Sequence, residues 1–153
     1  MEFSDNRSVG AAGESLVRYR LLRWGWNVML VEEGHPVDLF VYRPDRQAGF
    51  LRVQVKSVCG PRKPDHPGSG YAFHVTCRSV RSGRKAAYRQ GEVDIFALVA
   101  LDLERFVLRS YVPQVRKVTV PTHAFYGEDA AAQMDEMWRQ KKTDEKDNDE
   151  KDG

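Results

Sequence analysis

The sequence predicts an α/β fold, in which helices pack against a β-sheet. Three observations support this class. Apolar residues recur at helical spacing over residues 6–24, several short segments after them alternate as strands do, and residues 128–140 form a second amphipathic segment. Helices and strands of this kind each present an apolar face, and burial of those faces requires a shared layered core.

The first helix is predicted over residues 6–24, with Val17 and Leu21 among its apolar positions. Gly10 and Gly13 each weaken a helix by about 1 kcal/mol relative to alanine. We therefore expect them to mark places where the helix backbone packs closely against the sheet.

Strands are predicted where short runs rich in β-branched and aromatic residues are bounded by turn residues. In order, they are residues 26–31, 37–42, 50–57, 71–77, 93–101 and 106–112. The last two are predicted to form a hairpin. Residues 60–70 contain three prolines and three glycines and are expected to be a flexible basic loop, whereas residues 78–89 are expected to end in a short helix.

Length and composition indicate one globular domain with a tail. The chain has 153 residues, of which 41% are hydrophobic and 30% are charged. No run approaches the roughly 18 apolar residues of a membrane span, and the amino terminus lacks a secretory pattern, so we predict a cytoplasmic protein that does not bind membranes. We assign residues 1–140 to the domain and expect the charged residues 141–153 to be disordered.

The charge balance is mildly basic. The net charge is +2, and the tail of residues 141–153 contributes four lysines and six acids, which leaves +4 on the remainder. Such an excess suits a polyanionic partner, although many proteins carry it without binding nucleic acid. The two cysteines, Cys59 and Cys77, have no metal-ligand spacing and are expected to be free thiols.

One group of polar residues requires a chemical explanation. Asp38 opens the strand of residues 37–42, and Gln54 and Lys56 lie on the next strand. Because side chains two residues apart point to the same side of a strand, antiparallel pairing can place Asp38 beside both of them. Glu14, at the edge of the apolar arc of the first helix, could lean over the same sheet.

This group suits phosphodiester hydrolysis assisted by Mg²⁺, which prefers oxygen ligands, polarises phosphoryl oxygens and lowers the pKa of a bound water. Asp38 is the first expected ligand, with the Gln54 amide oxygen, the Val55 carbonyl and Glu14 as further donors. Lys56 is expected to orient or help deprotonate the attacking water and to stabilise charge on the phosphate. The predicted catalytic residues are therefore Glu14, Asp38, Gln54 and Lys56.

These residues resemble the motifs of the PD-(D/E)XK nuclease superfamily. The matching segments, on helix, strand and strand, are Gly13-Glu14, Pro36-Val37-Asp38 and Gln54-Val55-Lys56. The resemblance covers about the first 60 residues. It implies a mixed β-sheet flanked by helices, often in the order αβββαβ, and Mg²⁺-dependent cleavage of duplex or branched DNA, with Mn²⁺ as a substitute and no small-molecule cofactor.

Gln54 departs from the usual superfamily pattern, which has an acid at this position. In having a glutamine two residues before the lysine, the sequence is similar to the branch that contains group I intron homing endonucleases of cyanobacteria. Archaeal Holliday junction resolvases are similar in their early helix glutamate but keep the acid. The substitution removes one negative charge, which leaves open a tighter dependence on Glu14, weaker metal affinity or loss of activity.

Several basic residues could contact the phosphates of DNA, since such contacts are made chiefly by lysine and arginine. They are Arg52, Arg62, Lys63, Arg78, Arg81, Arg84, Lys85 and Arg89. For most of them the alternative is an ordinary solvated surface. For Arg52, which shares a strand face with Gln54 and Lys56, the alternative is a salt bridge to a nearby acid.

Three functions remain open at this point. The first is a Mg²⁺-dependent DNA endonuclease that works as a homodimer or higher symmetric oligomer, because cutting duplex or branched DNA needs two sites. The second is a DNA-binding module of the same fold with weak or absent catalysis. The third is an RNA-directed nuclease or a subunit of a larger restriction or recombination assembly.

Overall fold

A computed structural model describes residues 5–44, 49–66, 68–78 and 82–151. The described chain forms three helices, nine strands and one turn of 3-10 helix at Leu101–Leu103. The helices are α1 (Asn6–Arg23), α2 (Ala124–Gly127) and α3 (Ala130–Lys151). The strands are β1 (Asn27–Leu30), β2 (Leu39–Tyr42), β3 (Leu51–Val58), β4 (Tyr71–His74), β5 (Thr76–Arg78), β6 (Lys85–Ala87), β7 (Ile95–Ala100), β8 (Arg105–Ser110) and β9 (Lys117–Val120).

The main sheet has five strands in the order β1-β2-β3-β7-β8. β3 lies at its centre, pairing antiparallel with β2 and parallel with β7, while β1 and β8 add antiparallel edges. Two smaller sheets pair β4 with β9 and β5 with β6, both antiparallel. The predicted mixed sheet flanked by helices is therefore confirmed.

The main sheet is buried on both faces by different elements. On one, here called the helix face, Val17 and Leu21 of α1 and Met134 and Trp138 of α3 pack against alternate strand residues. On the other, here called the ribbon face, the β4–β9 pair packs through residues that include Tyr71, Phe73 and Val120. A central strand with both faces covered reads as nearly continuous apolar sequence, as residues 95–100 do.

Gly13 sets the distance between α1 and the sheet. A Cβ atom built on it would lie 1.7 Å from Ser57 Oγ and 3.6 Å from Val55 Cγ1, so no larger residue fits without displacing the helix. The expectation of a close backbone approach is thus met at Gly13. At Gly10, by contrast, a Cβ would meet nothing within 4 Å.

The predicted first helix, the other strand positions and the hairpin of β7 and β8 are confirmed, with ends that differ by a few residues. The single strand predicted over residues 71–77 is wrong, because it is divided into β4 and β5, which belong to different sheets. The short helix predicted at the end of residues 78–89 is wrong, because Lys85–Ala87 instead pairs with Thr76–Arg78. In the described part of the chain, the connection from β3 to β7 therefore contains short strands where the order αβββαβ has a helix.

Residues 60–70 form no helix or strand among those described, but they are held by hydrogen bonds. The Arg62 N–H donates to the Gly70 carbonyl at 2.8 Å, and Ser69 Oγ bonds both the N–H and the carbonyl of Lys63 at 3.1 Å. The segment is thus a closed turn, which the prediction of a flexible loop did not anticipate.

The carboxyl-terminal segment also differs from its prediction. We expected disorder from residue 141, whereas α3 continues to Lys151. Lys141 accounts for part of this, because its Nζ donates to the Phe50 carbonyl at 2.7 Å and to Asp94 Oδ2 at 2.8 Å. Among the described residues, no helix is long and apolar enough to cross a membrane.

Candidate active site

Asp38 is fixed against β3 by backbone hydrogen bonds. Its N–H donates to the Val53 carbonyl at 3.2 Å, and its Oδ2 accepts the Val55 N–H at 2.8 Å. Burial raises the pKa of the Asp38 carboxyl, and the Val55 N–H and the charge of Lys56 offset this only in part. The carboxylate therefore carries a charge that its surroundings do not fully stabilise.

Gln54 and Val55 bring two further oxygen donors next to Asp38. Gln54 is only 8% exposed and is the one buried polar or charged residue in the described part of the chain. Its Nε2 lies 3.4 Å from the Val55 carbonyl oxygen. An amide group can rotate to exchange the positions of its oxygen and nitrogen. The side-chain oxygen of Gln54 and the carbonyl oxygen of Val55 can therefore face the same small space.

Lys56 lies on the ribbon face in a partly enclosed setting. Its Nζ donates to the Thr76 carbonyl at 3.0 Å and lies 5.3 Å from the centre of the Tyr88 ring. Burial lowers the pKa of Lys56, and the charge of Asp38 opposes that shift without cancelling it. The ammonium is thus near Asp38 but is not locked to it as a direct ion pair.

Glu14 approaches from α1 and is held there by the contact of Gly13 with Ser57. Burial raises the pKa of Glu14, and the charges of Asp38 and Glu33 raise it further. Glu14 and Asp38 are thus close enough to repel each other when both are ionised. The structure brings together the four predicted catalytic residues, although Glu14 shows an electrostatic rather than a direct contact.

The donor set fits a hard divalent cation. It contains two carboxylates, one amide and one backbone carbonyl, which are the oxygen ligands that Mg²⁺ and Mn²⁺ take. A cation among them would offset the burial that raises both carboxyl pKa values and the repulsion from Asp38 that raises the pKa of Glu14 further. The described residues contain no cluster of three His, Cys, Asp or Glu side chains suited to a metal, so such a site depends on Gln54 and Val55.

Apart from Arg52 and Arg81, the basic candidates are exposed. Arg78 and Lys85 face each other at the end of the β5–β6 hairpin, and Arg84 and Arg89 lie on either side of β6, all exposed. Lys85 is near enough to Lys56 to lower its pKa. Arg62 and Lys63 are exposed on the closed turn, and Arg81 lies outside the described residues.

Arg52 is the first exception, because its guanidinium is already occupied. Its Nη2 and Nε donate to the two carboxylate oxygens of Asp94 at 2.8 and 3.0 Å. The hydrogen bonds to Asp94 raise the pKa of Arg52. This bidentate pair favours the salt-bridge alternative over a phosphate contact.

Two neighbours of Lys56 were missed by sequence reasoning: the Thr76 carbonyl and the Tyr88 ring. Tyr88 is 5% exposed, and its ring packs against Phe96 at 5.4 Å between centroids. Neither contact leaves a signal in the sequence, because both depend on the β5–β6 hairpin folding back over β3. The hairpin itself has a weak signal, since Ser82-Gly83 is turn chemistry between two short runs.

The fold agrees with that of a solved endonuclease structure. The structure of a bacterial homing endonuclease, I-Ssp6803I, superposes with a TM-score of 0.66, at 20% sequence identity, and the match covers 94% of this chain and 99% of that one. The two chains share one fold. No protein-family model matches the sequence, and no curated protein sequence matches it.

Proposed function

We propose that this protein is a Mg²⁺-dependent DNA endonuclease of the PD-(D/E)XK type. The observation that carries the proposal is the convergence of Asp38, Gln54, the Val55 carbonyl and Lys56 where β2 meets β3. The fold shared with a bacterial homing endonuclease supports it, as do the exposed basic residues beside Lys56.

Each residue then has a distinct part in phosphodiester hydrolysis. Asp38, the Val55 carbonyl, Gln54 and Glu14 would hold the metal ion, and Mn²⁺ could replace Mg²⁺. When bound, the ion supplies a Lewis acid for the phosphoryl oxygen and a more acidic water. Lys56 orients that water and stabilises the charge that develops on the phosphate. Because burial lowers its pKa, Lys56 gives up a proton more readily than an exposed lysine does.

Gln54 favours a second candidate function, a DNA-binding module with weak or absent catalysis. With glutamine in place of an acid, the site has two carboxylates rather than three, and metal affinity should depend more strongly on Glu14. Retention of Asp38 and Lys56 with their charges near each other argues for activity.

Duplex or branched DNA is the proposed substrate, and a homodimer or higher symmetric oligomer is the proposed working form, because two strands must be cut. The residues proposed to contact phosphate are Arg62, Lys63, Arg78, Arg81, Arg84, Lys85 and Arg89. A cytoplasmic location and the absence of a small-molecule cofactor remain predictions from the sequence.

The test is cleavage of plasmid and four-way-junction DNA in Mg²⁺, in Mn²⁺ and in EDTA, with Asp38→Ala assayed in parallel. Cutting that needs metal and is lost in the variant supports the endonuclease and its central ligand. Binding without cutting of either substrate supports the binding module instead. Preferential cutting of RNA would overturn the proposed substrate.

A further inference from the structure

The β4–β9 pair forms a two-stranded ribbon whose outer side has no described function. Its inner side chains, which include Tyr71 and Phe73, are buried on the ribbon face of the main sheet. Its outer side carries two cross-strand pairs, Ala72 with Thr119 and His74 with Lys117. His74, Lys117 and Thr119 are exposed, and Ala72 is half-buried.

The two strands of the ribbon lie in stretches of the sequence that contain no acidic residue. Residues 66–91 contain five arginines and lysines and residues 105–127 contain four, yet neither stretch has an aspartate or a glutamate. These stretches supply both ribbons, β4–β9 and β5–β6. No ion pair involving His74, Arg116 or Lys117 is found among the described residues. Asp102, whose Oδ2 accepts a hydrogen bond from the Tyr71 hydroxyl at 2.8 Å, adds an acid only at the end of β4 opposite His74. The surface around His74 and Lys117 is therefore complementary in charge to a polyanion.

The ribbon also ends beside the candidate active site. His74 is two residues before Thr76, whose carbonyl accepts the hydrogen bond from Lys56 Nζ at 3.0 Å. The β4–β9 ribbon and the β5–β6 hairpin thus meet at Lys56 and extend away from it. A duplex whose scissile phosphate sits at Lys56 would meet both elements.

We propose that the β4–β9 ribbon enters the major groove of duplex DNA and reads base edges, with His74, Lys117 and Thr119 as the reading side chains. The proposal rests on the proposed nuclease function and adds the element that selects the sequence. The major groove, about 12 Å wide, admits a two-stranded ribbon. Thr119 and Ala72 present methyl groups that suit thymine, and His74 and Lys117 offer polar groups for guanine.

The two ribbons differ in composition, and this difference assigns phosphate contacts to one and base contacts to the other. The β5–β6 hairpin and its flanks carry mainly arginine and lysine, the residues that contact phosphate. The outer side of the β4–β9 ribbon has one lysine among smaller or neutral side chains, which permits close approach to bases. Its two pairs lie about 6.8 Å apart at about 3.4 Å per residue, close to two base-pair steps of B-DNA.

The experiment is selection of bound duplexes from a pool with a randomised centre, using the full chain in EDTA and in Ca²⁺. Wild type is compared with Lys117→Met, Thr119→Ser, which removes the methyl group and keeps the hydroxyl, and Lys85→Met. Lys146→Met, on the exposed part of α3, makes the same charge change away from both ribbons and is the matched control. The dependence of the Kd on salt is measured for each protein.

Lys117→Met and Thr119→Ser are expected to lose preference by about fivefold or more at one or two adjacent base pairs, with other positions unchanged. Lys85→Met should keep the preference, while its slope of log affinity against log salt falls by about 0.9, the value for one phosphate contact. Lys146→Met should change neither quantity.

Three results would overturn the assignment. If Lys117→Met lowers the salt slope and leaves preference intact, the ribbon contacts phosphate rather than bases. If wild type binds DNA without any sequence preference, the ribbon does not recognise bases, but the nuclease proposal stands. If wild type binds no DNA, or prefers duplex RNA, whose major groove is too narrow for side chains, both proposals fail.

Discussion

Asp38 and Asp94 occupy equivalent positions on the two sides of β3, but their neighbours stabilise the two carboxylate charges to different extents. Each precedes a strand that pairs with β3, and each accepts a β3 backbone N–H on its Oδ2, from Val55 at 2.8 Å and from Arg52 at 2.7 Å. Burial raises the pKa of both. At Asp94, hydrogen bonds from Arg52 and Lys141 outweigh burial and bring the pKa below its usual value, whereas the pKa of Asp38 stays raised.

The difference lies in where the neighbouring cations direct their hydrogen bonds. Lys141 donates to Asp94, whereas Lys56 donates to the Thr76 carbonyl and leaves Asp38 without a direct ion pair. A carboxylate that is paired with cations, as Asp94 is, stabilises the fold. A buried carboxylate without one retains the capacity to bind a metal ion, and perturbed groups of this kind are concentrated at functional sites.

The largest expected effect separates the two lysines. Lys56→Met should reduce cleavage by at least about 100-fold, because it removes a charge that stabilises the transition state, while DNA binding is kept. Lys141→Met is the matched change at the other carboxylate and should leave the cleavage rate per folded molecule intact. Single-turnover cleavage, with binding measured in parallel, checks both. A wild-type rate for Lys56→Met would contradict the mechanism.

Removal of Asp94 should have the next largest effect. Asp94→Ala leaves Arg52 and Lys141 without their shared carboxylate, and loss of hydrogen bonds to charged groups costs about 2–3 kcal/mol. For a chain of this size that corresponds to a fall in Tm of about 5–10 °C. Thermal unfolding followed by circular dichroism measures it. An unchanged Tm would show that the network around Asp94 contributes nothing to the fold.

The same network predicts a pH dependence of stability. Because the pKa of Asp94 is lower in the folded chain than in the unfolded chain, its contribution is fully present above the unfolded value of about 3.9. It is lost as the pH falls through the depressed folded value. In urea unfolding, the difference between wild type and Asp94→Asn should therefore be constant near neutral pH and shrink in acid. A difference that grows in acid would have the wrong sign.

The smallest effect is expected at Asp38 without metal. Asp38→Asn keeps an acceptor for the Val55 N–H and removes a charge that burial disfavours, so the Tm in EDTA should stay the same or rise slightly. Addition of Mg²⁺ should then stabilise wild type, by about 2.7 kcal/mol at 100 times its Kd, and not the variant. Equal stabilisation of the two proteins would place the metal elsewhere.

The site was predictable to the extent that local patterns determine it. Asp38 and the pair Gln54 and Lys56 lie on consecutive strands, so alternation and a short antiparallel connection were enough to bring them together. The pairing of β3 with β7 joins residues about 40 apart, for which the sequence carries no local signal. For this reason the Arg52–Asp94 pair could be anticipated only as one alternative.

The structures predicted from sequence for two charge-rich segments were wrong. Residues 141–151 have the composition of a disordered tail, but Lys141 has its hydrogen-bond partners just before β3 and just before β7, and the helix extends beyond it. Residues 78–89 have basic residues compatible with a helix, but strands of three residues pair instead. In both cases a tertiary contact decided the structure over local propensity.

The placement of acids has a consequence for how the molecule would approach DNA. The acid-free strands cover one face of the sheet, while α3, which carries seven acids, packs on the opposite face and extends beyond the sheet. The two acid-free stretches together hold nine arginines and lysines, so positive charge is concentrated there although the net charge of the chain is only +2. Within a Debye length of about 8–10 Å, such a concentration of positive charge favours approach of the duplex to the ribbon face. Its association rate should accordingly decline with salt more steeply than net charge alone would give.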